Sequence, residues 1–147
     1  MTEYNCYTDA STLKHLPNPT SGIAAVVVNL DYNRLEKTTA QYLRSDNNIY
    51  AEVRAINLGI STSSGFLCED DLLRICTDCQ PAIDLITEDT EVSSDRMGRV
   101  LDRIDKIIDR LPCDIQFQWV KGHSDHPVND FADSLAYSHA QGHPYDD

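Results

Sequence analysis

Residues 22–30 read Gly-Ile-Ala-Ala-Val-Val-Val-Asn-Leu, and this run most narrows the folds open to the chain. β-Branched residues side by side favour extended backbone. Successive side chains of a strand point to opposite faces, so a nearly unbroken apolar run is apolar on both. Such a strand sits inside a sheet that is covered on each side. The run is read as a central strand.

The neighbouring segments extend this reading. Tyr4 to Asp9 alternates apolar and polar residues and is read as a strand that ends at Asp9. Pro17, Asn18 and Pro19 punctuate a loop from Ala10 to Ser21. A turn at Asp31-Tyr32-Asn33 leads to a third, more polar strand over Leu35 to Tyr42, nearer an edge. These three form an antiparallel meander. The polar cluster Ser45 to Asn48 then starts a helix carrying Val53, Ile56 and Ile60 at helical spacing, with Glu52 in its first turn. Leu72 to Thr77 is a buried strand that ends at Asp78, and Pro81 opens a short helix over Gln80 to Ile86. Ser94 to Leu111 is the clearest helix: Met97, Val100, Leu101, Ile104, Ile107, Ile108 and Leu111 share one face. Ile115 to Val120 is the last strand, and Asn129 to Gln141 a terminal helix. The order β-β-β-α-β-α-α-β-α predicts an α/β fold: a five-stranded mixed sheet, three antiparallel strands followed by β/α units, with helices on both faces.

The 147 residues suit one domain, read as 1–142 with a flexible tail over 143–147. No apolar run approaches the roughly 18–20 residues of a membrane span. The first residues lack the basic and apolar regions of a signal peptide, so a cytoplasmic monomer without membrane contact is expected. Five cysteines, odd in number and irregularly spaced, do not read as a disulfide framework. Cys76-Thr-Asp-Cys79 has no partner motif at zinc-site spacing and is read as small apolar residues in and beside a strand. The net charge of −12 disfavours non-specific binding to phosphates, though it permits a local basic surface.

Four acids are candidates for shared chemistry; with 24 acids in the chain, the alternative reading is solvated loop acids, some of which end strands by chance. Asp9 and Asp78 end strands, Glu52 opens a helix, and Asp133 lies within the terminal helix. If the two strands are neighbours, Asp9 and Asp78 emerge at one sheet edge, where sites form in open α/β sheets. Convergent carboxylates repel one another unless cations neutralise them. Mg²⁺ suits carboxylate, phosphate and water oxygens, and two such ions can drive in-line attack on a phosphodiester.

The motifs make this specific. Tyr7-Thr8-Asp9-Ala10-Ser11, Asn47-Asn48 ahead of Glu52, Thr77-Asp78-Cys79-Gln80, and Trp119-Val120-Lys121-Gly122-His123 through Asn129 and Asp133-Ser-Leu-Ala together resemble a type 1 ribonuclease H. The resemblance runs from Tyr4 to about Ala140. It implies the ribonuclease H-like fold and Mg²⁺- or Mn²⁺-dependent endonucleolytic cleavage of RNA paired to DNA, leaving 5′-phosphate and 3′-hydroxyl ends. By position it implies that Asp9, Glu52, Asp78 and Asp133 bind two metal ions. It also implies that His123 is a mobile histidine assisting proton transfer or product release. Ser11, Asn18, Asn47, Asn48, Gln80 and Asn129 match substrate-contacting positions; amides suit this because they donate and accept. The family separates RNA from DNA by the 2′-hydroxyl. His126 matches no functional position and is read as structural.

There are departures. Asp46 stands where the family often has a threonine beside a DNA phosphate, and an aspartate there repels phosphate. The span from Asp78 to His123 is too short for the family's basic protrusion, and no N-terminal hybrid-binding domain is recognised. The helix from Asp95 carries Arg96, Arg99, Arg103, Lys106 and Arg110 as one stripe beside a second stripe of Asp95, Asp102, Asp105 and Asp109. That basic stripe reads either as a track for a hybrid backbone or as a solvated face neutralised by its own ion pairs. Two other functions share the pattern less well: a resolvase- or integrase-like core, and a non-catalytic hybrid-binding module.

Overall fold

A computed structural model describes residues 1–88, 91–122 and 126–141. The elements follow the order β1 (Glu3–Leu13), β2 (Thr20–Asn29), β3 (Arg34–Leu43), α1 (Asn48–Ser64), β4 (Leu72–Thr77), α2 (Gln80–Thr87), α3 (Asp95–Arg110), β5 (Asp114–Trp119) and α4 (Pro127–Ala140). The five strands form one mixed sheet in the order β3-β2-β1-β4-β5. β2 pairs antiparallel with both β1 and β3, whereas β1–β4 and β4–β5 are parallel. The α/β class and the five-stranded mixed sheet are those expected.

Every residue of β2 is buried. Ile23, Ala25 and Val27 join a core with α1, α2 and α3, while Val26 and Val28 join a second core with α4. Burying each Val or Ile this way stabilises the fold by about 1.5–3 kcal/mol. Two glycines set the helix distances. A Cβ on Gly59 of α1 would lie 2.7 Å from Cys6 Sγ and 2.9 Å from Thr8 Cγ2 of β1. A Cβ on Gly22 of β2 would run into the α4 backbone at Ala136 and Ala140.

Four expectations about placement need correction. β1 does not end at Asp9: Ala10 to Leu13 continue the ladder opposite Ile23 to Thr20, because β2 offers partners along its whole length. Asp9 is nonetheless past the last β1–β4 pair, Tyr7 with Cys76. Glu52 is in the second turn of α1, since the helix starts at Asn48 and its first turn holds no acid. The terminal helix starts at Pro127, with His126 as its cap. Proline is tolerated there because the first helical N–H has no intrahelical partner. β5 runs Asp114–Trp119 and stops one residue short of Val120. Among the described residues no helix is long and apolar enough to cross a membrane. Residues 143–147, expected as a tail, and His123 lie outside the described residues.

Candidate active site

Strand register brings the first two acids together. Tyr7 and Cys76 are opposed across the parallel β1–β4 pair and both pack on the α4 side of the sheet. Two residues further on β1 returns to that side at Asp9, and Asp78 directly follows the end of β4. α1 supplies Glu52 from its second turn, and Asn47 fixes where that turn falls: its Oδ1 accepts from Tyr50 N–H at 2.9 Å. Each of Asp9, Glu52 and Asp78 offers a carboxylate oxygen within 4.8 Å of the others. Asp9 is buried, Glu52 half-buried, and Asp78 reaches solvent. Asp133, the fourth acid expected here, is on α4 outside that triad, but its carboxyl group makes a hydrogen-bonding contact with Asp9.

The electrostatics are those of acids pressed together without compensation. Burial, the Asp133 contact and the Asp78 charge push the Asp9 pKa up to about 8. Burial first, then the charges of Asp9 and Asp78, hold Glu52 well above the ordinary carboxyl range. Ala10 N–H, which donates to Asp9 Oδ1 at 2.9 Å, offsets part of the rise at both. Glu52 Oε1 is buried with no hydrogen-bond partner among the described residues. A buried carboxylate oxygen left unpaired is costly. The donor set is all hard oxygen, the class that binds Mg²⁺. These residues therefore fit divalent cations.

Other contacts hold the cluster in place. Trp119 Nε1–H donates to the Asp78 carbonyl at 3.1 Å, and Val120 N–H donates to Thr77 at 2.9 Å. The β5 end is thus tied to the β4 end. Gly122 packs on the acid itself: a Cβ there would lie 2.5 Å from Asp78 Oδ2. Sequence reasoning used Gly122 only as part of a motif; a glycine just past a strand end that faces a site acid was the available signal. Ala10 N–H left no signal, because any residue but proline supplies it. His126 fills the structural role expected of it: its ring stacks on Tyr7 at 4.9 Å between centroids and caps α4 through Asn129 N–H.

Those six substrate-contact candidates are dispersed. Asn18, Asn47 and Asn48 gather around Asp46 in two adjoining grooves. One, of about 270 Å³, includes Asn18, Arg44 and Arg96; the other, of about 350 Å³, includes Lys14, Asn47 and Asn48. Asp46 thus sits among cations. Gln80 is exposed at the start of α2, donating to Asp84 at 2.8 Å. Ser11 lies on β1 opposite Gly22, on the same side as Asp9, and Asn129 is buried at the start of α4. The cysteines form no cluster that could hold a metal among the described residues. Burial raises both Cys76 and Cys79 to about 11, which keeps them as thiols.

A sequence model of the RNase H family matches residues 1–141. The chain belongs to the RNase H family. Solved RNase H structures share its fold at low identity. The N-terminal RNase H domain of Rv2228c from Mycobacterium tuberculosis is 17% identical over 97% of this chain and 96% of its own, with a TM-score of 0.78. RNase H1 from the halophilic archaeon Halobacterium salinarum is 19% identical over 96% and 99%, with a TM-score of 0.75. LC11-RNase H1, a compost isolate solved with an RNA/DNA hybrid, is 16% identical over 95% and 97%, with a TM-score of 0.70. Comparison with curated protein sequences returns no significant match.

Proposed function

We propose that this RNase H family member is an endoribonuclease that hydrolyses the RNA strand of RNA/DNA hybrids, using divalent metal ions held by Asp9, Glu52, Asp78 and Asp133. The carrying observation is the convergence of carboxylate oxygens of Asp9, Glu52 and Asp78 within 4.8 Å, with Glu52 Oε1 buried and unpartnered among the described residues. Family membership and the likeness to LC11-RNase H1 with its bound hybrid support the substrate.

When bound, two Mg²⁺ ions, or Mn²⁺ in their place, would lower the pKa of a coordinated water and stabilise charge on the attacking and leaving oxygens. Hydrolysis joins the water oxygen to phosphorus and breaks the P–O3′ bond. A proton passes to the departing O3′, which yields 5′-phosphate and 3′-hydroxyl ends. The chain's own residues supply the rest. Ala10 N–H and the Gly122 backbone hold Asp9 and Asp78 in position. Asn18, Asn47, Asn48, Gln80, Ser11 and Asn129 are assigned to hybrid contacts. At Asn47 the Oδ1 already caps α1, which leaves Nδ2 as the group to reach a ligand. His123 is assigned the proton handling, since an imidazole titrates near neutral pH.

The deciding experiment is incubation with a labelled RNA/DNA hybrid, beside single- and double-stranded controls, with and without Mg²⁺ or Mn²⁺. Asp78→Asn is run in parallel, and all arms at low and high salt. Metal-dependent cutting confined to the hybrid, lost in Asp78→Asn, is the expected result. Absence of such cutting by the parent protein at every salt concentration rejects the enzyme reading.

A further inference from the structure

α3 carries three stripes along its 16 residues: apolar, acidic and basic. Met97, Val100 and Ile104 are buried in the core, while Arg99, Arg103, Lys106 and Arg110 are exposed. Among the described residues none of the five cations has an ion-pair partner; the salt bridges there are Arg34–Glu36 and Arg74–Glu3. The helix does not neutralise itself, although each cation has aspartates within one turn.

The two charged stripes run side by side along α3, and each borders a different groove. Asp102 and Asp105 line a groove of about 280 Å³ shared with Leu85, Thr87 and Glu88 of α2. The basic stripe flanks the acidic one on the side away from that groove and is anchored at its start. The Arg96 guanidinium lies 4.0 Å from the Tyr50 ring centroid on α1, and its Nη2–H donates to the Arg44 carbonyl at 2.9 Å. Arg96 and Arg44 in turn line the groove that contains Asn18 and Asp46. The stripe is thus continuous with the rim assigned to hybrid contacts and leads away from it along α3. At 1.5 Å per residue, Arg96 to Arg110 spans about 21 Å, with one cation per turn. In a chain of net charge −12, an unpaired cation row of this length is complementary to a polyanion. Phosphates recur every ~3.4 Å along one strand of a duplex, so the row can meet several of them.

We infer that the α3 stripe of Arg96, Arg99, Arg103, Lys106 and Arg110 is a docking track for the phosphodiester backbone of the hybrid, outside the reaction centre. The inference rests on the hybrid-nuclease reading. These are positioning residues: they hold duplex and touch no reacting atom.

Salt-dependent binding of an RNA/DNA hybrid, measured in Ca²⁺ or with Asp78→Asn to prevent cutting, tests it. Arg99→Gln with Arg103→Gln should flatten the plot of log affinity against log salt by about 1–2 in slope and weaken binding roughly tenfold at low salt. The cleavage rate at saturating hybrid, measured in the otherwise unmodified protein, should stay unchanged. Asp102→Asn with Asp105→Asn, on the adjacent acidic stripe, should leave the slope as it was. An unchanged slope in the arginine variant overturns the track. So does an equal slope change in the aspartate variant, which would indicate a generic charge effect. A matching thermal unfolding midpoint confirms that each variant is folded. If the parent cuts the hybrid and the arginine variant keeps its slope, the track fails alone; if the parent neither binds nor cuts it, both readings fail.

Discussion

Asp9, Glu52 and Asp78 converge from β1, α1 and β4, whereas Asp95, Asp102, Asp105 and Asp109 line one exposed edge of α3. The side chains are alike and their surroundings are opposite. At the sheet edge Asp9 and Glu52 have been taken largely out of water and pressed against Asp78, so their ionised forms are disfavoured. On α3 each aspartate keeps its hydration, and neighbours a turn apart are screened by solvent. The number of acids therefore says little about where a cation binds. Convergence with desolvation is what makes carboxylates want a counter-charge, and only the first cluster has both.

Substitution within the first cluster should have the largest effect. Several kcal/mol of transition-state charge stabilisation depend on the metal ligands. Glu52→Gln should therefore lower metal-dependent hybrid cleavage by on the order of 10³-fold. A variant that retains near-parental rates would remove Glu52 from the site. Next in size is Gly122→Ala. Its Cβ would contact Asp78 Oδ2 at 2.5 Å, so the carboxylate must move. Displacement of a catalytic group by ~1 Å costs on the order of 10²-fold. Cleavage should fall by about that much while the unfolding temperature barely changes; equal losses in rate and stability would instead indicate a folding defect.

Titration should separate the clusters more gently. Folding raises the Asp9 pKa from 3.8 to about 8, and raises Glu52 as well. Without metal, the folded protein binds protons more tightly than the unfolded chain across that window. Stability contributed by these groups is then present at the acid end and lost as pH rises towards 8. Mg²⁺ should accordingly raise the unfolding temperature more at pH 8 than at pH 5. Asp9→Asn should raise the metal-free midpoint at pH 8 by on the order of 5 °C. A metal-free midpoint that does not decline between pH 5 and pH 8 would contradict this. The smallest effect belongs to α3: Asp102→Asn with Asp105→Asn should shift stability by no more than about 0.5 kcal/mol, as measured by chemical denaturation. A larger loss would show that the second cluster is not simply solvated.

The amino-acid pattern made much of this legible. The β-branched run of β2 and the apolar face of α3 each announced their elements, because burial demands a periodicity that local sequence displays. Asp78 was legible as a strand end, since β4 is short and closes at a polar residue. Asp9 was harder. Ala10 to Leu13 have no strong strand signal of their own and are extended because β2 lies opposite them. At α1 the Ser45–Asn48 cluster marks the start but not which residue caps, so Glu52 reads a turn early; at α4 a histidine cap is a weak signal until the N–H it accepts is in place. Among the substrate-contact candidates, Asn18, Asn47 and Asn48 share a rim, whereas Gln80, Ser11 and Asn129 are spread over other elements.

By itself, the sequence determined the element order, the α/β class and the identity of the acids, since each of these depends on residue type and short-range spacing. It also determined that α3 carries a basic and an acidic stripe, because helical periodicity sorts them. The tertiary structure alone decided which carboxylates meet. That depends on β1 pairing in parallel with β4, on α1 approaching β1 at Gly59, and on Gly122 backing Asp78. It alone decided which way the α3 stripes face, through the Arg96 contacts with Tyr50 and Arg44. Long-range register and packing bring together groups far apart in the chain, and no local pattern encodes the convergence and the burial of Asp9 and Glu52 that turn three ordinary acids into a cation site.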